Sequence, residues 1–222
     1  MTALALLQLA SPALPVGAFS YSEGLEVLIQ SRRIQDESEL QSWLEAELRF
    51  GTLRLEAAAL RPLVREFEAW FDKDACAKDR LISLDGWLLA TREAADVRAQ
   101  QRQMGQSLLQ LLDDMGYPLP EKVQLSWPAA WAWAASSLSV SQQEMVEGYL
   151  YGWIANQLSA AVRLLPLGPT RAQVLQRRLL PLIACQAQFL QRQEPQEIWS
   201  GGVGAGMVQL AHAELYSRLF RS

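Results

Sequence analysis

"SQQEMVEGYLYGWIANQLSAAVRLLPLG", Ser141–Gly168, is the stretch that settles the class of fold. It opens on Ser141-Gln-Gln-Glu144, the spacing of a capping box: the serine oxygen takes the third helical amide and the glutamate reaches back to the serine N–H. Nothing then opposes helix until Pro166–Gly168, where a proline and a glycine close the pattern after Leu165. A long helix is thus written into the chain with both of its ends. Inside it, Gly148, Gly152, Asn156 and Ala160 fall on one i+4 row. Such a row lets another helix backbone approach closely. In lipid it would read as a GxxxG contact, but the surrounding sequence is that of a soluble protein.

The flanks repeat the helical signal. Downstream, the pattern predicts a helix from Thr170 to about Gln193, bent or interrupted by Pro181. Upstream, a long pattern runs from about Lys78 to Met115 and stops at Gly116, where Tyr117–Pro118 bars continuation. Asp36 and Glu39 stand as N-cap and N3 acid before "LQSWLEAELRF", where Leu40, Trp43, Leu44 and Leu48 share a face. In "EAAALRPLVREFEAWF" the face continues through Leu60, Leu63, Val64 and Phe67 to Trp70 or Phe71, and Pro62 marks a break or kink. No period-two alternation bounded by hairpin turns occurs. The expected fold is all-α, a single-domain bundle of about eight to ten helices.

The N-terminal stretch "ASPALPVGAFSYSEGLE", Ala10–Glu26, reads as a corner. Pro12 pushes Ser11 out of the α region and ends a first helix. Leu14-Pro15-Val16-Gly17 fits a type I turn, and Ser20-Tyr-Ser-Glu23 reads as a second capping box. Position N4 after that box is Gly24, so Phe19 has nothing to staple onto. Local chemistry leaves Phe19 and Tyr21 unexplained.

Composition narrows the function classes. Half of the 222 residues are apolar and the net charge is −4, ordinary for a globular protein. The cations are 17 Arg and 3 Lys, dispersed without a basic stripe, which argues against nucleic acid. Residues 1–143 sum to −6 and residues 144–222 to +2, a mild asymmetry that suits an acidic protein partner better than DNA. Cys76 and Cys185 are far apart and outside any CxxC context, so two buried free thiols in a reducing cytosol are expected. The opening "MTALALLQLASPA" lacks the basic n-region of an export signal and reads as a buried first helix. Val123–Gln143 could span a bilayer by length, yet it carries a proline, five serines and three glutamines. Gly148–Val162 is shorter than the ~20 apolar residues a span needs. Neither is expected to be transmembrane.

No catalytic constellation emerges. The one histidine, His212, leaves a His/Cys metal cluster or a Ser-His-Asp triad without partners, and it falls in an apolar stripe. "GGVGAG", residues 201–206, follows no strand and lacks GK[ST], so it reads as a flexible linker rather than a phosphate loop. Asp113–Asp114 is a solvated helix end. Beyond the linker, Met207, Val208, Ala211, Leu215, Tyr216, Leu219 and Phe220 fall on one helical stripe, with Gln209, Glu214, Ser217 and Arg218 outside it. An isolated helix this short is marginal, so the stripe needs something to dock against, either its own bundle or another protein. These readings divide the chain into an all-helical domain, 1–200, and a segment 201–222 made of a linker and a C-terminal partner-docking helix. The absence of a coherent site points to an interaction protein.

Three segments carry a resemblance to the UreF family of urease accessory proteins: "LLQLASPALPVGAFSYSEGLE", "LATREAADVRAQQRQMGQSLLQLL" around Arg92, Glu93, Met104, Gly105 and Ser107, and the ending "HAELYSRLFRS". "GYLYGWIANQLSAAVRLLPLG" resembles the family's segment leading into a Pro-x-Gly turn. The resemblance implies a non-enzymatic, cytoplasmic scaffold that joins UreD (also called UreH) and the GTPase UreG. Such a subunit supports GTP-dependent nickel insertion into apo-urease and modulates the GTPase, with pairs of subunits at the centre of the complex. No cofactor or metal site on the chain itself is implied. Carried onto this chain, His212, Tyr216, Arg218, Leu219, Phe220 and Arg221 would dock a partner, and Tyr21 would join the partner-facing surface. The tail would be mobile in the free protein and become an ordered helix against UreD. A helical enzyme or small-ligand-binding bundle is the alternative, and it would need convergent polar residues inside a pocket.

Overall fold

The computed structural model describes residues 2–222 and, among them, contains helices and no strand. Ten α-helices follow one another: α1 Thr2–Leu9, α2 Leu25–Gln30, α3 Glu37–Phe50, α4 Leu53–Phe71, α5 Ala77–Ala90, α6 Ala95–Asp114, α7 Trp127–Ser137, α8 Gln142–Leu164, α9 Pro169–Leu190 and α10 Val203–Ala211. Short 3-10 turns lie at Ala18–Ser20, Pro195–Glu197 and His212–Glu214. The all-α expectation holds, with one shared hydrophobic core.

The core is organised on α4, which packs against α3, α5, α7, α8 and α9. Its buried face runs from Leu53 through Leu60 and Leu63 to Phe67 and Trp70. Pro62 neither ends nor interrupts the helix. It is buried with its neighbours Leu60 and Leu63, and their burial returns ~1.5–3 kcal/mol for each large side chain, enough to offset the ~3 kcal/mol proline penalty. α6 pairs with α7 and α8 with α9. Between α4 and α7, Trp133 lies 5.4 Å from Phe67 and stacks on Phe71 at 4.9 Å, centroid to centroid.

Two helix starts form as the sequence predicts. The Asp36 carboxylate accepts from the Glu39 N–H at 2.9 Å, and Ser141 and Glu144 make the full capping box. α9 continues through Pro181, on its exposed side. In the small-residue row of α8, Gly148 is the glycine that meets a neighbour closely: a Cβ there would lie 2.6 Å from Leu6 Cδ1 of α1. Gly152 faces open space and the Asn156 amide donates to the Tyr21 carbonyl at 3.3 Å, so the row does not seat one continuous helix.

Four expectations are corrected. The Lys78–Met115 pattern is two helices, broken at Thr91–Ala94. Arg92 turns inward there to meet Glu56, and Arg98 donates to the freed carbonyls of Arg92 and Glu93 at 2.5 and 2.7 Å. The second capping box does not form: α2 starts at Leu25 behind Gly24, with no side-chain cap. The N–H groups of Ser22 and Glu23 are taken by the Ser222 carbonyl at 2.7 and 3.1 Å, and the Glu23 side chain is drawn into the core. The turn at Leu14 closes between Val16 N–H and the Leu14 carbonyl at 2.8 Å, tighter than a type I turn. Cys76 and Cys185 are free thiols but exposed, Cys76 before α5 and Cys185 on the outer side of α9 between buried Ile183 and Ala187.

The C-terminal segment also differs. α10 begins at Val203, inside the glycine-rich stretch expected to be a linker. Gly202 sits against Thr52, and Gly206 against the Glu93 carboxylate, where a Cβ would come within 2.5 Å of each. The glycines thus permit close packing. The α-helix ends at Ala211, and Leu215–Ser222 runs without regular helix along the N-terminal corner. The stripe from Met207 to Phe220 is therefore not one helix. The segment lies on its own bundle, because α2 offers it a buried acceptor, Glu26.

Candidate functional site

The corner and the tail are built around Gly24. Its backbone is left-handed, with φ 92°, and a Cβ would lie 2.9 Å from Val208 of α10. Only glycine combines that φ with that approach at no cost. The tail then crosses α2. Glu26, buried, accepts from the N–H groups of Leu219 and Phe220 at 2.7 and 3.1 Å and faces His212 Nε2 at 3.1 Å. Gln30 bonds both Glu26 and the Ser217 carbonyl, each at 3.2 Å. Further along, Arg221 N–H donates to the Ser20 carbonyl at 2.9 Å. A buried carboxylate with several donors is a strong anchor, since charge-assisted hydrogen bonds are about twice as strong as neutral ones.

Behind this clasp lies a charged hub. Arg92, from the break between α5 and α6, donates its Nε to Glu56 Oε1 at 2.7 Å, with Nη2 at 2.6 Å from the same oxygen. Its Nη1 lies 3.7 Å from Glu23 Oε2. The Tyr149 hydroxyl donates to the other Glu56 oxygen at 2.8 Å. Glu23 accepts from the Gln100 amide at 2.9 Å and the Trp153 indole N–H at 3.2 Å. The Ser222 hydroxyl donates to Gln100 at 2.6 Å and so links hub to tail. Arg92 and Glu56 are only 5% and 2% exposed, so neither charge is supported by water.

The electrostatics follow from that dryness. Burial pushes the Glu56 carboxyl up, against the pull of Arg92. Burial and the adjacent Glu56 raise the Tyr149 phenol well above its ordinary value. For Arg92, burial opposes the charge, yet Glu56 and Glu23 outweigh it and hold the guanidinium above its usual range. Glu47 of α3 is pushed up to about 7 by burial, with Arg92 pulling it down and Glu23 pushing it up. The hub holds five parts of the chain in one geometry: the corner, α4, the α5–α6 break, α6 and α8.

The seven residues expected to meet a partner separate by exposure. Tyr21, His212 and Phe220 are buried: Tyr21 in the corner, His212 on Glu26, and Phe220 beneath the Arg163 guanidinium, 4.5 Å from its ring centroid. Tyr216, Arg218, Leu219 and Arg221 are exposed along the tail. Sequence reasoning missed Glu26, Glu56, Gln100 and Tyr149, and it misassigned Glu23 to a cap. The available signal was an acid in an apolar run: Glu56 in "RLEAAAL" and Glu26 in "GLEVL".

Among the described residues no group of three or more His, Cys, Asp or Glu is placed to hold a metal ion, and no helix is long and apolar enough to cross a membrane. Fold and site together define a class: an all-helical domain whose buried charges tie its C-terminal segment to its N-terminal corner. The sequence profile of the UreF family matches residues 34–180. The chain is 42% identical over 224 residues to the urease accessory protein UreF of Microcystis aeruginosa, covering 99% of this chain and 97% of that one. It is 40% identical over 219 residues to the protein of the same name from Prochlorococcus marinus strain MIT 9215, covering 96% of each. The chain belongs to the UreF family of urease accessory proteins.

Proposed function

We propose that this protein takes part in urease maturation as a non-catalytic cytoplasmic scaffold. It joins UreD (UreH) and the GTPase UreG, works as a homodimer within their complex, and supports GTP-dependent nickel insertion into apo-urease while modulating UreG's hydrolysis. Relatives named as urease accessory proteins over nearly the whole chain length support this reading. The observation that carries the surface assignment is the tail. Tyr216, Arg218, Leu219 and Arg221 point outward along a segment whose backbone is fastened from beneath by Glu26. An edge held on Glu26 that presents a tyrosine and two arginines carries residue types enriched in interface hot spots. Tyr21, His212 and Phe220 serve that edge by shaping it from inside.

The test is co-purification with UreD and UreG. Tyr216→Ala, Arg218→Ala and Leu219→Ala combined alter exposed side chains only, so the variant should melt with the parent. UreD capture should fall by roughly tenfold or more, as expected for hot-spot loss. A triple variant that captures UreD as well as the parent removes the tail from the interface. Phosphate release from GTP by the isolated chain should be absent, and any turnover would end the non-catalytic reading.

A further inference from the structure

Beside Glu23 a cleft of about 520 Å³ opens between α1, the N-terminal corner, α6, α7, α8 and the start of α9. That volume is in the range of small-molecule sites, about 300–1,000 Å³. Its walls are aromatic, with Trp127, Trp131 and Trp153 among the lining, and Glu23, Glu56 and Gln101 are polar residues of the lining. Glu23 and Glu56 belong to the hub, but Gln101 brings to the same lining a polar group that the hub does not use.

The chemistry of the lining selects the ligand. Two buried carboxylates share the single guanidinium of Arg92, and Glu56 holds it closely while Glu23 lies 3.7 Å from it. Glu23 is otherwise met by neutral donors, Gln100 and Trp153. Gln101 Oε1, buried, has no hydrogen-bond partner in the protein. Among the described lining residues Arg163 is the only cation, and it is an exposed side chain engaged with Phe220 and the Phe19 carbonyl. The cleft therefore offers negative charge, an unused acceptor and apolar aromatic surface, which together attract a cation with an apolar body. We propose that this cleft binds a small organic ammonium ion, its head at Glu23 and its body among Trp127, Trp131 and Trp153.

Calorimetric titration with tryptamine, against the neutral and nearly isosteric tryptophol, tests this on the wild-type chain. Tryptamine should bind saturably at one site, and roughly tenfold or more tighter than tryptophol, since the charge-assisted contact is lost in the alcohol. Gly152 lines the cleft, and a Cβ there meets nothing within 4 Å. Gly152→Trp should therefore fill the space without touching the hub, abolishing binding at an unchanged melting temperature. Glu23→Gln should weaken tryptamine and leave tryptophol unchanged. The proposal is overturned if wild type fails to bind tryptamine, if tryptophol matches it, or if a folded Gly152→Trp binds undiminished.

Discussion

The chain contains Ser-x-x-Glu at two places that look alike on paper, Ser20–Glu23 and Ser141–Glu144. At Ser141 the motif is a solvated cap: the serine oxygen accepts from the Glu144 N–H at 3.3 Å, and the glutamate returns to the serine N–H at 3.2 Å. At Ser20 the helix starts five residues later, and Glu23 adopts a left-handed φ of 50° that sends its carboxylate into the core. The difference is the competition each glutamate faces. The bonds of Glu144 stay within its own cap, to Ser141. Beside Glu23 are Arg92, Gln100 and Trp153, and the N–H groups a cap would have served are occupied by Ser222. A capping box is worth ~0.5–2 kcal/mol, less than leaving a buried guanidinium short of partners.

The contrast can be broken most forcefully at Arg92. Arg92→Met leaves Glu56 and Glu23 without their cation and should cost ~3–5 kcal/mol in urea unfolding. A loss below 1 kcal/mol would mean that the hub does not carry charge in the way its geometry implies. Next comes pH. Glu47 holds its proton up to about 7, against 4.5 when free. Below 4.5 both folded and unfolded states are protonated and there is no penalty. Between 4.5 and 7 the unfolded chain ionises while the folded carboxyl keeps its proton, so stability falls across that window and levels off above 7. Glu47→Gln should gain about 2 kcal/mol at pH 8, allowing for partial solvent screening, and nothing at pH 4. An equal effect at both pH values would refute this. The smallest effects sharpen the pair itself. Ser141→Ala should cost ~1 kcal/mol, as a true N-cap does, whereas Ser20→Ala should change the unfolding midpoint negligibly.

The boundaries legible in sequence were those set by neighbours in the chain. Asp36, Ser141, Gly116 and Pro166–Gly168 start or stop helices where their own chemistry says. The misread places are decided by residues far away. Helical periodicity runs through Thr91–Ala94, and only the meeting of Arg92 with Glu56, 36 positions back, breaks it. Gly201–Gly206 has the composition of a linker, yet it opens a helix because Thr52 and Glu93 close on its glycines. Of the candidate site, the tail motif was visible, and the outward set Tyr216, Arg218, Leu219 and Arg221 lay within it. What fastens it was not, because a lone acid in an apolar run gives no hint of which distant donor it will meet.

That reliance on distant partners bears on the order of folding. The hub contacts Arg92–Glu56, Gln100–Glu23, Tyr149–Glu56 and Trp153–Glu23 span 36, 77, 93 and 130 positions, and Ser22–Ser222 spans 200. Closing such loops is entropically unfavourable until the helices between them have docked. The hub therefore belongs to the last step, after the transition state. Destabilising it should leave the refolding rate of the chain nearly unchanged and speed unfolding by almost the full equilibrium amount. Stopped-flow chevrons of Arg92→Met would show it as a shifted unfolding limb alone. The charges at the centre then set how long a molecule stays folded, and the apolar helices how quickly it gets there.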